Sequence, residues 1–126
     1  MGSYHEFLLI KNYIMKIALT VKERLILQGI LPAQGGLMTI GLTQEIRDAI
    51  RITSKEADKL KMKETEFGIT WDNQKEGKPL EIDLTQEQVK ILKDSADRMD
   101  KEEKITIANY EFIKRLSLLE YPEKES

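Results

Sequence analysis

The chain of 126 residues contains no cysteine, one histidine and only three prolines. Without cysteine there are no disulfides, no thiolate metal ligands and no thiol nucleophile. The histidine, His5, lies in a stretch that resembles a vector-derived remnant, so imidazole chemistry is also excluded from the domain. No apolar run approaches the 18 or more residues of a membrane-spanning helix. We therefore expect a cytoplasmic domain that is not an enzyme and holds no metal and no cofactor.

The composition is that of one ordinary globular domain. Forty per cent of the residues are apolar and 33% are charged, and the 20 basic and 22 acidic side chains are interspersed for a net charge of −2. A chain of this size buries roughly two-thirds of its unfolded surface without covalent staples. The near-neutral charge argues against a large footprint on duplex DNA, although it leaves room for a small basic patch.

The ends of the chain differ from its centre. Residues 1–3 resemble a vector-derived remnant, and Met15 suits a native start. We therefore expect residues 1–14 to be a remnant or a flexible arm, residues 15–120 to form a single α+β domain, and residues 121–126 to be a disordered tail.

Local patterns predict a strand followed by helices in the first half of the domain. Apolar residues alternate with polar ones over residues 15–19, which indicates a strand. Thr20, followed by a glutamate three residues later, forms a capping box that begins a helix. A short apolar piece, residues 37–42, is predicted to be a second strand. Two further helices are expected to begin at Thr43 and Ser54.

The middle of the chain has the strongest β signal. Apolar and polar side chains alternate over residues 66–71 and again over residues 80–84, on either side of a polar tip at residues 72–79. This pattern predicts a hairpin with one apolar and one acidic face. A register symmetric about the tip pairs Trp71 with Leu80, Ile69 with Ile82, and Phe67 with Leu84.

Two helices are predicted to close the domain as an antiparallel pair. Thr85 and Gln88 form a second capping box, and the helix that follows extends to about residue 103 with a charged outer face. The last helix, residues 105–119, has an apolar stripe wider than one core face requires. Such a stripe is typical either of a helix buried centrally or of one that pairs with a second copy, so a homodimer through this helix is one expectation.

Together these elements predict an α+β domain in which helices surround a β-hairpin in a winged-helix-like order. In that order residues 54–63 form the recognition helix and residues 72–79 the tip of the wing. A DNA-binding transcriptional regulator is therefore one hypothesis, although Glu56 and Asp58 would repel phosphates. Its candidate contacts are Arg47, Arg51, Lys55, Lys59, Lys61 and Lys63.

We favour protein binding over DNA binding for the exposed charges. A winged-helix-like shape serves protein contacts as well as DNA contacts. The polar tip and the charged face of the penultimate helix are both predicted to face solvent. The candidate contacts are Asp72, Asn73, Gln74, Lys75, Glu76 and Lys78 at the tip, and Lys90, Asp94, Asp97 and Lys101 on the helix.

Three sequence features resemble a group of small uncharacterised bacteriophage and prophage proteins. They are Val-Lys-Glu-Arg-Leu at residues 21–25, Gly-Ile-Leu-Pro at residues 29–32 with Gly35, and Gly-Ile-Thr-Trp at residues 68–71 before an acidic strand and two helices. The likeness spans residues 15–119 and brings no active-site residue with it. It implies a phage setting, in which small acidic proteins act as accessory factors or as inhibitors of host defence. A third hypothesis, a sponge for a small anionic nucleotide, suits the same setting and would use Arg24, Arg47 and Arg51.

Overall fold

The structure, a computed structural model, describes residues 15–121. The predicted arm of residues 1–14 lies outside the described residues, as do residues 122–126 of the predicted tail. The strands are β1 (Met15–Leu19), β2 (Lys63–Thr65), β3 (Gly68–Thr70) and β4 (Leu80–Leu84). The helices are α1 (Val21–Ile30), α2 (Leu37–Ile50), α3 (Ser54–Leu60), α4 (Gln86–Lys101) and α5 (Tyr110–Ser117), and a 3₁₀ turn spans Asn73–Lys75. The fold class is α+β, as predicted.

β1 and β4 form an antiparallel pair along one side of the core. Ile17 lies opposite Ile82, and both are buried. On the outer face the Lys16 ammonium donates to the Asp83 carboxylate at 2.9 Å. The predicted hairpin is therefore wrong, because it paired the β4 residues with residues 66–71. Alternation indicates which face of a strand is buried but does not identify the neighbouring strand, and β1 and β4 share the same alternation.

A separate hairpin, formed by β2 and β3, stands out from the core. Thr65 lies opposite Gly68, so the turn consists of the two residues between them, Glu66 and Phe67. Gly68 adopts a φ of +124°, which favours glycine, and the Thr65 hydroxyl donates to its carbonyl at 2.8 Å. Every strand residue of the hairpin is exposed. The prediction that Phe67 and Ile69 pack against β4 is wrong.

Residues 37–42 form the first part of α2, so the strand predicted there is also wrong. The helix begins after Gly36, which has no side-chain capping bond. Thr43, the predicted N-cap, lies inside the helix and is 2% exposed. A helix is favoured because the four-residue spacing of the buried Ile46 and Ile50 extends back through the preceding turns. The short strand of the predicted winged-helix order is thus replaced by helix.

Side-chain caps begin three of the other helices where the sequence indicated them. The capping boxes at Thr20 and Thr85 are both present, each reciprocated by the third residue of its helix. In α3 the cap is Thr53, whose hydroxyl accepts from a main-chain N–H at 3.1 Å, rather than the predicted Ser54. The helix starts were therefore predicted to within a residue at these three positions.

α4 and α5 pack together and close the core. α5 begins at Tyr110, not at residue 105, because Thr106 and Asn109 form a reciprocal hydrogen-bonded turn before it. Most of the apolar stripe of α5 is buried within the domain, which accounts for its width, while Leu118 remains 67% exposed. The homodimer through this helix stays a prediction.

The core is formed by side chains from one sheet and four helices. Among the residues that the structure describes, the large side chains with less than 2% exposure come from β1, β4, α1, α2, α4 and α5: Leu19, Leu27, Ile46, Ile50, Leu84, Leu92 and Leu116.

Tyr121 belongs to the folded domain rather than to the predicted tail. It packs against the core and lies beside Gln86 and Val89 at the start of α4. The chain after α5 therefore returns to the beginning of α4, which makes the two helices the antiparallel pair that was predicted.

Arginine side chains form hydrogen bonds that connect helix ends and β1 to neighbouring elements. The last carbonyl groups of a helix have no partner within that helix, and the guanidinium group offers several donors at once. Four of the five arginines donate to main-chain carbonyl groups. The pairs, donor first, are Arg24 with Ile50 and Arg51, Arg47 with Gln28 and Leu31, Arg98 with Ile30, and Arg115 with Ala18.

Candidate functional site

α4 buries one face and presents a row of charges on the other. The row consists of Lys90, Asp94, Asp97 and Lys101, and we call it the α4 ridge. The ammonium of Lys90 lies 4.0 Å from the carboxylate of Asp94, and that of Lys101 lies 3.0 Å from that of Asp97. The hydrogen bond from Lys101 to Asp97 raises the pKa of Lys101 above its usual value. Exposed pairs of this kind contribute little to stability, so a partner can rearrange them at low cost.

A groove of about 320 Å³ runs along the ridge between α4 and the start of α2. Leu42 and Ile91 supply apolar lining, and Asp94 of the ridge stands at its edge. Met38, also in the lining, is 65% exposed, and its neighbour Leu37 is 96% exposed. We call this the α2 groove. Exposed apolar side chains beside an apolar groove are characteristic of interaction sites.

A second groove, of about 330 Å³, lies between α4 and α5. Ile113 and Tyr110 contribute apolar surface, and the ammonium of Lys114 lies 5.7 Å from the centre of the Tyr110 ring. Asp94 and Asp97 of the ridge border it as well. We call this the α5 groove. Asp94 therefore lies between two grooves, one on each side of α4.

The other predicted contact segment is not a hairpin tip. The Asp72 carboxylate accepts from the main-chain N–H of Gln74 at 3.0 Å, inside the 3₁₀ turn. Glu76 accepts from the Val21 N–H at 3.0 Å and from the Trp71 indole N–H at 3.1 Å. These bonds fold the segment back onto the start of α1, and they leave Trp71 half-buried rather than in the core. Of the predicted contact residues in the segment, four are exposed: Asn73, Gln74, Lys75 and Lys78.

The two predicted contact segments line different clefts. Lys75, Glu76 and Lys78 line a small cleft with α3, whereas Lys90 and Asp94 line the α2 groove. The α4 ridge is the stronger candidate for partner binding because it combines exposed charges with apolar surface on both sides.

The predicted DNA contacts fall into two groups. Arg47 donates to the carbonyls of Gln28 and Leu31 and is engaged within the domain. Arg51 is exposed and forms a surface ion pair with Asp48. The second group consists of exposed lysines that form no ion pair with any residue in the range 15–121: Lys55, Lys59, Lys61 and Lys63. These lysines suit phosphate contacts, but base edges are read mainly by arginine, asparagine and glutamine.

The arginines predicted to hold a nucleotide do not form an anion site. Arg24 is 5% exposed and is bonded to the Glu56 carboxylate at 2.5 and 3.0 Å. It also donates to the carbonyls of Ile50 at 3.0 Å and Arg51 at 2.8 Å. With Arg47 also engaged by carbonyl groups, this geometry does not support a sponge built on the three arginines.

Sequence reasoning missed the exposed apolar residues at the start of α2. Leu37 and Met38 were assigned to a strand, so the contribution of Met38 to a groove beside α4 was not considered. A signal was present, because Met38, Leu42, Ile46 and Ile50 recur every four residues and indicate a helix that begins before residue 38. The exposure of Leu37 itself had no comparable signal.

The described residues show neither metal-binding clusters nor membrane-spanning helices. Within residues 15–121, no group of three or more acidic or histidine side chains is placed to hold a metal ion. Over the same range, no helix is long and apolar enough to cross a bilayer.

Comparisons with known proteins found no matching family model, no matching curated protein and no matching solved structure.

Proposed function

We propose that this chain is a non-catalytic binding domain that holds a protein partner on the α4 ridge and in the α2 and α5 grooves. The observation that carries the proposal is the position of Asp94, an exposed charge that borders two largely apolar grooves. Protein interfaces combine apolar pockets at the centre with polar groups at the rim. A partner can insert apolar side chains on both sides of α4 while its own charges meet the ridge.

The order of charges on the ridge gives the interaction its specificity. Lys90 and Lys101 lie at the two ends, with Asp94 and Asp97 between them. A partner with acidic groups at the ends and basic groups at the centre is complementary, and one with the opposite pattern is repelled. From the sequence resemblance we further propose a phage setting, with the partner in an infected bacterial cell and the domain acting as an accessory or anti-defence factor.

Capture from bacterial extract tests the proposal. The immobilised protein is incubated with extract, and bound proteins are quantified by mass spectrometry for the wild type and for two variants of the site. We expect Asp94→Lys and Met38→Asp each to reduce recovery of the partner about tenfold or more, because each disrupts the centre of the interface.

Two matched controls separate loss of the site from a general effect of the substitution. Asp58→Lys places the same charge change on the exposed surface of α3, and Ile107→Asp places an acid at a residue that is 99% exposed. Both variants should bind as the wild type does. Equal loss in controls and site variants, or full binding by both site variants, would reject the proposal.

Duplex DNA binding remains the second candidate because four exposed lysines follow one another along α3 and β2. It requires affinity for random duplex DNA that falls steeply as salt rises. The protein-binding proposal expects no such affinity at physiological salt. A fluorescence-anisotropy titration at two salt concentrations distinguishes the two functions.

A further inference from the structure

A small cleft opens between the start of α1, the last turn of α3 and the chain after the 3₁₀ turn. Its volume is about 60 Å³. Three lysines line it, Lys59, Lys75 and Lys78, and the Arg24–Glu56 ion pair also contributes to its wall. None of the protein-binding surface described above belongs to this cleft.

The acidic groups of the cleft are already occupied by donors of the domain. Glu56 accepts two hydrogen bonds from Arg24, which lower the pKa of Glu56 below its usual range. Glu76 accepts from the Val21 N–H and from the Trp71 indole. The Glu56 carboxylate is thus paired with the Arg24 guanidinium, whereas Glu76 keeps its negative charge because both of its donors are neutral.

The three lysines of the cleft, in contrast, are exposed cations that a ligand can reach. Lys59, Lys75 and Lys78 are exposed, and none forms an ion pair with another residue in the described range 15–121. Three ammonium groups and one arginine face two carboxylates, so the wall carries a net positive charge. An anion in the cleft would be attracted by the net positive charge of the wall.

We propose that this cleft binds a single phosphate group, presented as inorganic phosphate or as the end of a small phosphate monoester. At about 60 Å³ the cleft is several times smaller than the α2 and α5 grooves, which favours one tetrahedral oxyanion over a bulkier ligand. A monoester carries nearly two negative charges at neutral pH, and this suits a cleft lined by three lysines better than the single charge of a phosphodiester. The site differs from the predicted nucleotide sponge, of which it retains only Arg24, and it does not depend on the proposed protein interaction.

Titration of the full chain with inorganic phosphate at constant ionic strength tests this site. Binding is followed by calorimetry and by amide chemical shifts in NMR spectra. We expect saturable binding with shifts centred on residues 75–78 and the end of α3. Lys59→Gln, Lys75→Gln and Lys78→Gln should each weaken binding about two- to fivefold, as expected for one exposed charge, and the triple variant should lose it.

Lys55→Gln is the matched control, because Lys55 is an exposed lysine of α3 that does not line the cleft. This variant should bind phosphate as the wild type does, and thermal melts confirm that all the variants fold. A titration with a nucleoside monophosphate should reproduce the phosphate result. The site is rejected if phosphate binding does not saturate, or if Lys55→Gln weakens phosphate binding as much as the cleft variants do. It is also rejected if the three lysines are required for binding duplex DNA but not for binding phosphate.

Discussion

Arg24 illustrates how a charged side chain is accommodated in the interior of a small domain. Its guanidinium group donates to one carboxylate and two main-chain carbonyl groups, and so joins α1 to α2 and α3. A buried charge without partners costs several kcal/mol, so each of these acceptors matters. On α1 the side chains of Arg24 and Leu27 are buried, whereas the adjacent Leu25 and Ile26 are half-buried.

Glu56→Gln tests the partner of this arginine. Because Arg24 lowers the pKa of Glu56, the unfolded chain binds this proton more tightly than the native protein does. The pair therefore stabilises the fold above pH 4.5, the ordinary value for a glutamate, and loses its effect as the pH falls through the lowered pKa. We expect the variant to be less stable by about 2 kcal/mol at pH 7, and the difference to shrink in acid.

Urea denaturation of the wild type and the variant between pH 3 and 7 measures this difference. Asp58→Asn is the matched control, since Asp58 is an exposed carboxylate of the same helix, and it should change stability by less than about 0.5 kcal/mol. If Glu56→Gln is less stable than the wild type by the same amount at every pH in this range, the ionised pair is not the cause of the loss of stability.

Glu76→Ala tests whether the segment after β3 is structural. The side chain accepts two hydrogen bonds, from Val21 and Trp71, and their loss should lower the free energy of unfolding by about 1 to 3 kcal/mol. The adjacent Lys75→Ala removes an exposed side chain and should leave stability nearly unchanged. Chemical denaturation compares the two, and equal stabilities would mean that Glu76 is the free contact residue that the sequence predicted.

At the scale of the elements, the sequence predicted correctly those features that depend on residues close together in the chain. The capping boxes at Thr20 and Thr85 depend on residues three positions apart, and both were predicted correctly. The pairing of β1 with β4 joins residues more than 60 positions apart, such as Ile17 and Ile82, and no local pattern encodes it. The hairpin at residues 63–70 was missed because the longer alternation around it suggested a different partner.

Two phenylalanines, Phe67 and Phe112, distinguish the observed sheet from the predicted one. Phe67 is 93% exposed at the hairpin turn, whereas Phe112 is 4% exposed in α5. We expect Phe67→Ala to change stability by less than about 0.5 kcal/mol and Phe112→Ala to reduce it by about 3 to 5 kcal/mol. Thermal and urea unfolding measure both, and a large loss in Phe67→Ala would support the predicted contact with Leu84 instead.

At the scale of the whole molecule, the sequence identified the charged face of α4 but not its surroundings. The i, i+4 charges of α4 were visible as a pattern, and the ridge is where they were expected. The grooves beside it require α2 and α5 to pack on either side of α4, which depends on long-range contacts. The residues at the start of α2 became part of the site only when that packing was known.

The arrangement of the arginines is likewise a property of the whole molecule. The C-terminal end of α1 has no basic residue in its last turn, and Arg47 of α2 and Arg98 of α4 supply the donors instead. The hypothesis of a nucleotide sponge assumed that arginines were available for an anionic ligand. Because four of the five arginines are engaged by main-chain carbonyl groups, most of the cations left for ligands are lysines, and this limits the functions open to the domain.

Site-specific photo-crosslinking tests the central claim, that a protein partner lies against α4, most directly. A photoreactive amino acid is placed at Met38 in the α2 groove, at Lys114 in the α5 groove, and at Lys55 on α3 as the control. Each protein is irradiated in extract of phage-infected bacteria. We predict that both groove positions yield the same crosslinked partner and that Lys55 does not. Crosslinks from Lys55 alone, or none from either groove, would contradict the assignment of α4 as the binding surface.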